Sequence, residues 1–113
     1  SILLLATGCG RSLVGDWVGT CQNPANGELV SFEIDIDSDR RGVVEGDSDL
    51  ETTDNTGSTT ETKCEIIGAH SGSLVELEFD CENDDNFELD LIMDGKVLIG
   101  DCGKDAELVL EQD

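Results

Sequence analysis

The sequence predicts an all-β domain, a small antiparallel up-and-down barrel of seven or eight strands with two disulfides. Three observations predict it. Apolar and polar residues alternate with period two through five segments, and no stretch carries a helical period. Turn dipeptides part those segments, Gly72-Ser73 and Asp94-Gly95 being the clearest. Five cysteines in 113 residues offer staples to a chain too short for a large core. A barrel is preferred to a small sandwich because closure removes exposed sheet edges.

Charge narrows the function. Against 27 Asp and Glu stand 6 Lys and Arg, a net of -21. Such a surface does not neutralise phosphates, so nucleic acid is no partner. Charge alone does not bring it to anionic lipid either. Self-repulsion on this scale is relieved by salt or divalent cations, which suits an extracytoplasmic or saline setting.

From the N-terminus, Ile2 to Ala6 form an apolar run followed by Thr7, Gly8 and Cys9. Five apolar residues are too few to cross a bilayer as a helix. LLATGC resembles the lipobox of bacterial lipoproteins, with Thr7 and Gly8 matching the two small positions before the acylated cysteine. The resemblance implies that residues 1–8 are a signal-peptide remnant, that Cys9 is lipidated, and that 9–14 form a short tether. Six residues from Cys9 to Gly15 reach at most roughly 20 Å, which keeps the domain beside its membrane. One acyl chain holds marginally, several firmly.

The domain proper spans 15–113 and begins at GDWVGT (15–20). Gly15-Asp16-Trp17 resembles the Gly-x-Trp at the first strand of lipocalins and related barrels, including the avidins. That resemblance implies a Trp17 that plugs one barrel end, with Gly15 allowing the tight turn beneath it. It also implies the runner-up function, a carrier of a small apolar ligand.

In VSFEIDID, Val30, Phe32, Ile34 and Ile36 face in. In VVEGDSDL, Val44, Gly46, Ser48 and Leu50 do so. ETTDNTGSTTET (51–62) carries no aliphatic side chain and reads as a flexible loop. Gly72-Ser73 suits a type II′ turn and sets Ser71 opposite Leu74, Ile66 opposite Phe79 and Cys64 opposite Cys81. The last is a non-hydrogen-bonded pair, where Cα atoms approach to about 4.5 Å, near enough for a disulfide. VELEFDC turns Val75, Leu77, Phe79 and Cys81 inward, and FELDLIM turns Phe87, Leu89, Leu91 and Met93 inward. Asp94-Gly95 reads as a type I′ turn, which pairs Met93 with Lys96, Leu91 with Leu98 and Phe87 with Cys102. AELVLE closes the meander with Ala106, Leu108 and Leu110 inward. With Cys9 acylated and Cys64 bridged to Cys81, Cys21 is left for Cys102, tying the first strand to the last turn.

Little chemistry is on offer. His70 is the only histidine, no nucleophile-elbow sequence is present, and the cysteines lack zinc-site spacing, so no enzyme and no cofactor are expected. Asp35, Asp37 and Asp39 are weak calcium candidates, and ENDDN (82–86) crowds further carboxylates. The first group fails the EF-hand pattern, having Arg40 where the turn glycine belongs. The inward set, with small Gly46, Ser48, Gly68 and Gly100 among large residues, suits a filled interior. Ile92, Val97 and Ile99, with Val109 beside them, form an apolar patch on the outer face. The expected function is a lipid-anchored, non-enzymatic lipoprotein of the bacterial cell envelope, extracytoplasmic, binding a protein partner through that patch.

Overall fold

In the computed structural model, which describes residues 12–22, 27–84, 86–103 and 106–113, each alternating segment forms a strand. In chain order these are β1 (Gly15–Gln22), β2 (Leu29–Arg40), β3 (Val43–Thr53), β4 (Thr59–Ser71), β5 (Leu74–Cys81), β6 (Phe87–Asp94), β7 (Val97–Gly103) and β8 (Ala106–Gln112). Each strand pairs antiparallel with the next, and β1 pairs with β8, so the sheet closes into an eight-stranded up-and-down barrel. The expected inward residues line the inside: Phe32, Ile34, Ile36, Val44, Leu50, Ile66, Val75, Leu77, Phe79, Leu89, Leu91, Leu98, Leu108 and Leu110 are all buried. Phe79 stacks on Phe87 at 4.5 Å, and Phe32 meets both edge-on.

Closure needs sharp curvature, and inward glycines supply it. A Cβ on Gly19 would lie 2.2 Å from the Val109 carbonyl oxygen, and one on Gly46 equally close to that of Asp35. Gly68 and Gly100 meet the carbonyls of Glu76 and Asp90 at 2.2 and 2.4 Å in the same way. At these points one strand leans over its neighbour at a distance that no side chain tolerates.

The β4–β5 hairpin has the expected register, Ser71 opposite Leu74 and Cys64 opposite Cys81. Both disulfides form: Cys64–Cys81 with Cα atoms 3.9 Å apart, and Cys21–Cys102 with Cα atoms 6.4 Å apart. The second spans 81 residues against 17 for the first, so it removes more freedom from the unfolded chain.

Four expectations are corrected. The β6–β7 turn is Gly95-Lys96, not Asp94-Gly95: Asp94 pairs with Val97, Ile92 with Ile99 and Leu91 with Gly100, while Phe87 pairs with Phe79. Gly95 has φ +63° and Lys96 has no positive φ, the pattern of a type II′ turn, which spares Asp94 the left-handed conformation that type I′ would impose on it. The shift moves the pairing by an even number, so the inward set is unchanged.

The stretch 51–62 is no loop. Glu51 pairs with Glu61, Thr52 with Thr60 and Thr53 with Thr59, as an extension of the β3–β4 hairpin. Threonine is β-branched and favours strands despite its polarity. The turn is held by the Asp54 carboxylate, which accepts from the Thr56 hydroxyl at 2.6 Å and from the amides of Thr56 and Ser58. These bonds lower the Asp54 pKa.

β2 runs on to Arg40, past a bulge at Asp37 that shifts the register between Ile36 and Ser38. The extra residue reverses the alternation beyond it, so Asp35 and Asp37 stay outside and Asp39 turns inward, opposite Val44. The three aspartates therefore do not converge on a cation. Finally, Leu13 lies within the expected tether yet is fully buried, so the fold takes hold of the chain before Gly15. Cys9 and residues 1–8 lie outside the described residues, as do Pro24, Asp85 and Lys104.

The close approach at Gly46 has a direct test. Gly46→Ala places a methyl carbon against the Asp35 carbonyl, and the expected loss of stability is about 2 kcal/mol, a fall in Tm of roughly 10 °C. Thermal unfolding followed by circular dichroism reads it, and an unchanged Tm would show that β2 and β3 have room to part.

Candidate functional site

In a meander, alternate turns collect at one end. The turns Arg41-Gly42, Gly72-Ser73 and Gly95-Lys96 share an end with the entry segment Ser12–Val14 and the tail at Asp113. The barrel is shut there by Leu13, whose amide donates to the Asp39 carboxylate at 2.8 Å and whose carbonyl accepts from the Trp17 indole Nε1 at 2.8 Å. Trp17 itself is fully buried. The same Asp39 oxygen meets His70 Nδ1 at 2.8 Å, and His70 Nε2 donates to the Gly72 carbonyl at 3.0 Å. Both side chains are shielded, with 9% of His70 and 6% of Asp39 exposed. The only histidine is thus committed on both ring nitrogens, one to a carboxylate and one to a turn. It clasps the end of the barrel and faces no serine or thiol nucleophile among these contacts. Ser48 is buried with its hydroxyl unpartnered among the described residues.

The outer wall is acidic over most of its circumference. Across β1 to β5, carboxylates stand directly opposite one another: Asp16, Asp35, Asp47, Glu65 and Asp80 form one unbroken cross-strand row. Beside it an open groove of about 540 Å³ is lined by Asp37, Glu45, Asp47, Glu65 and Asp80 around Ile67. Like charges directly opposite destabilise a sheet. Desolvation, then the neighbouring Asp37 and Asp16, raise the Asp35 pKa. Farther round, oxygens of Glu76, Glu88 and Asp90 lie within 4.8 Å of one another, and Asp90 is the main cause of a raised pKa at Glu88. The one ion pair on this wall among the described residues is Lys63–Asp49 at 3.7 Å.

Across β5 to β8 the wall also carries an aliphatic row, beside the Glu76, Glu88 and Asp90 cluster and the facing pair Asp101 and Glu107. Leu74 is opposite Ile92, Ile92 opposite Ile99 and Ile99 opposite Val109, a four-strand row. Val97 stands between Asp94 and Glu111 on the same outer face. Leu74 is 58% exposed and Ile92 47%. The structure therefore groups Ile92, Ile99 and Val109 in direct contact positions, moves Val97 one rung aside, and adds Leu74. Leu74 went unnoticed in the sequence because it flanks a turn; its outward parity followed from the hairpin register. The Asp39–His70 clasp had no such signal, since it depends on the bulge.

Two measurements test these arrangements. Asp39→Ala strands the Leu13 amide and His70 Nδ1 together, and two shielded polar groups left without this partner cost about 3 kcal/mol. Chemical denaturation checks it, and a cost within error would show that Leu13 is held by apolar burial alone. For Asp35 and Glu88, raised folded-state pKa values mean that the native state binds more protons than the unfolded state. Their contribution therefore favours folding as pH falls from neutral into the carboxylate range, and is lost again as pH rises through the folded values. Asp54 acts in the opposite sense, at lower pH. Tm is expected to rise between pH 7 and pH 5 and to rise with added salt at pH 7; a fall with salt would show the carboxylate rows to be no burden. Comparison with protein-family models, curated proteins and solved structures finds no match to this chain.

Proposed function

We propose that this chain is a lipid-anchored lipoprotein of a bacterial cell envelope whose barrel binds a protein partner and performs no catalysis. The observation that carries the binding role is the row Leu74, Ile92, Ile99 and Val109, an aliphatic strip continuous over four strands on a mostly acidic wall. Exposed contiguous apolar surface on a small soluble fold marks an interaction site. A fitting partner offers an apolar centre ringed by basic residues, because Asp94 and Glu111 border the strip through Val97. Charge of this magnitude speeds encounter with such a partner and makes it salt-sensitive. The anchor is supported by the LLATGC segment and by cysteine count: two bridges use four of the five thiols, leaving Cys9.

The anchor is tested by the intact mass of the full-length protein extracted from its own membranes. Cleavage before Cys9, added acyl chains and the loss of four hydrogens are expected; an unacylated mass retaining residues 1–8 would overturn the anchor. For the partner, a photo-crosslinking residue at position 99 in the living envelope is expected to give a discrete adduct that one at position 57 does not. Ile92→Asp should abolish the adduct at a stability cost of about 1 kcal/mol, from two lost cross-strand pairs, that leaves the barrel folded.

A further inference from the structure

We infer that the shut end of the barrel is a lipid-contact surface, seated on membrane headgroups so that the domain stands end-on with its apolar strip beside the bilayer. The inference rests on the reading that Cys9 carries the anchor, and it adds which face of the fold meets the lipid.

Three observations converge on that end. The first is charge. Of the four cations among the described residues, Arg40, Arg41 and Lys96 sit in its turns, all exposed and none in an ion pair among the described residues. The fourth, Lys63, lies farther along the barrel with Asp49. Asp16, Asp94, Glu111 and Asp113 are exposed carboxylates of this end, so three cations meet four anions there, close to balance on a protein of net -21, and Arg11 directly precedes its first described residue. Repulsion from the carboxylate wall is screened over about 8 Å at physiological salt. Glu45 and Glu76, the first outward carboxylates along β3 and β5, each stand three residues beyond a turn, roughly 10 Å of strand. The shut end thus meets less repulsion from phosphate headgroups than the wall does.

The second observation is apolar exposure. Val43 and Leu74 are the first residues after two of the turns, at 55% and 58% exposed, and Val14 in the entry segment is 46% exposed. Aliphatic tips interleaved with arginine and lysine suit the boundary between headgroup and acyl chain.

The third is geometry of attachment. The described chain enters at this end, at Ser12, three residues after Cys9. Three residues span at most roughly 10 Å, so an acyl group on Cys9 brings this end to the bilayer and no other. The end is also stiff. Backbone bonds tie His70 to Gly42, Met93 to Ser73 and Gln112 to Lys96, and the Gln112 side chain donates to the Val14 carbonyl. A hydrogen-bonded ring of turns presents its tips together.

The experiment tethers the oxidised protein through the Cys9 thiol to a maleimide-headgroup lipid, in nanodiscs of phosphatidylcholine and phosphatidylglycerol, and reads amide broadening by a gadolinium headgroup lipid. Because the tether is chemical, the result stands apart from whether the native chain is acylated, which the intact mass decides. Amides of Gly42, Gly72 and Gly95 are expected to broaden several-fold more than that of Gly57. Combined Arg40→Glu, Arg41→Glu and Lys96→Glu should reduce that ratio towards one, with the tether unchanged. Should that variant fail to fold, Val43→Ser with Leu74→Ser is expected to reduce the ratio as well. Equal broadening at both ends in the wild type, or a variant that folds and keeps the wild-type profile, would overturn the inference, the latter because the tether alone would then set the orientation.

Discussion

The structure depends on how closely neighbouring strands approach at Gly19, Gly46, Gly68 and Gly100. A carbonyl oxygen lies within 2.2 to 2.4 Å of where each Cβ would stand, and only glycine permits this. The four are spread over β1, β3, β4 and β7, so the bending is distributed around the circumference. Without it, eight strands form a gently twisted sheet whose ends stay apart. With it, β1 reaches β8 over the four pairs from Trp17–Gln112 to Thr20–Val109. Closure then gives every residue a definite inside or outside, and all later consequences follow from that division.

The first consequence is electrostatic. A chain of net -21 folded into a barrel must put almost all its carboxylates on one surface. Alternation then forces them into register, as in the row Asp16, Asp35, Asp47, Glu65 and Asp80. The opposing terms are the apolar interior and the two bridges, of which Cys21–Cys102 ties β1 to β7 across β8. That bond resists parting of the sheet where the seam has fewest rungs. The long strands β2, β3 and β4, with 12, 11 and 13 residues, carry much of the charge; the seam strands β7 and β8 have seven each.

Much of this was legible in the sequence because period two is a property of the strand itself. Phe32, Ile34 and Ile36 point inward for the same reason that Glu33 and Asp35 point out, and Gly72 marks its turn by needing φ +61°. Tertiary facts were less visible. Nothing local in DIDSDR marks Asp37 as a bulge, so the inward turn of Asp39 and its bond to His70 were hidden. Gly95 announced a turn but not which of two registers it starts; Asp94 and Lys96 decide that through the conformations they avoid. The threonines of 52–62 looked featureless because composition was read for polarity, whereas β-branching decides their pairing. Leu13 lies before the first strand, and only the Asp39 carboxylate and the Trp17 indole explain its burial.

The apolar strip has a structural use as well, and magnitudes separate the two roles. Short seam strands gain from aliphatic cross-strand pairs, each worth about 0.2–1 kcal/mol. That accounts for Ile99 and Val109, which are half-buried by their neighbours at one end of the strip. It does not account for the strip's other end. Leu74 and Ile92 keep about half of their surface in water although they pair with each other. A sheet needing only stability would place threonine there, which is equally β-prone and polar at its surface, as the β3–β4 extension does. The retained exposure lies beside the shut end, where the chain enters three residues after Cys9. On the anchored domain proposed above, a strip in that position would be offered to whatever shares the membrane surface, with the carboxylate row on β1 to β5 turned to other neighbours.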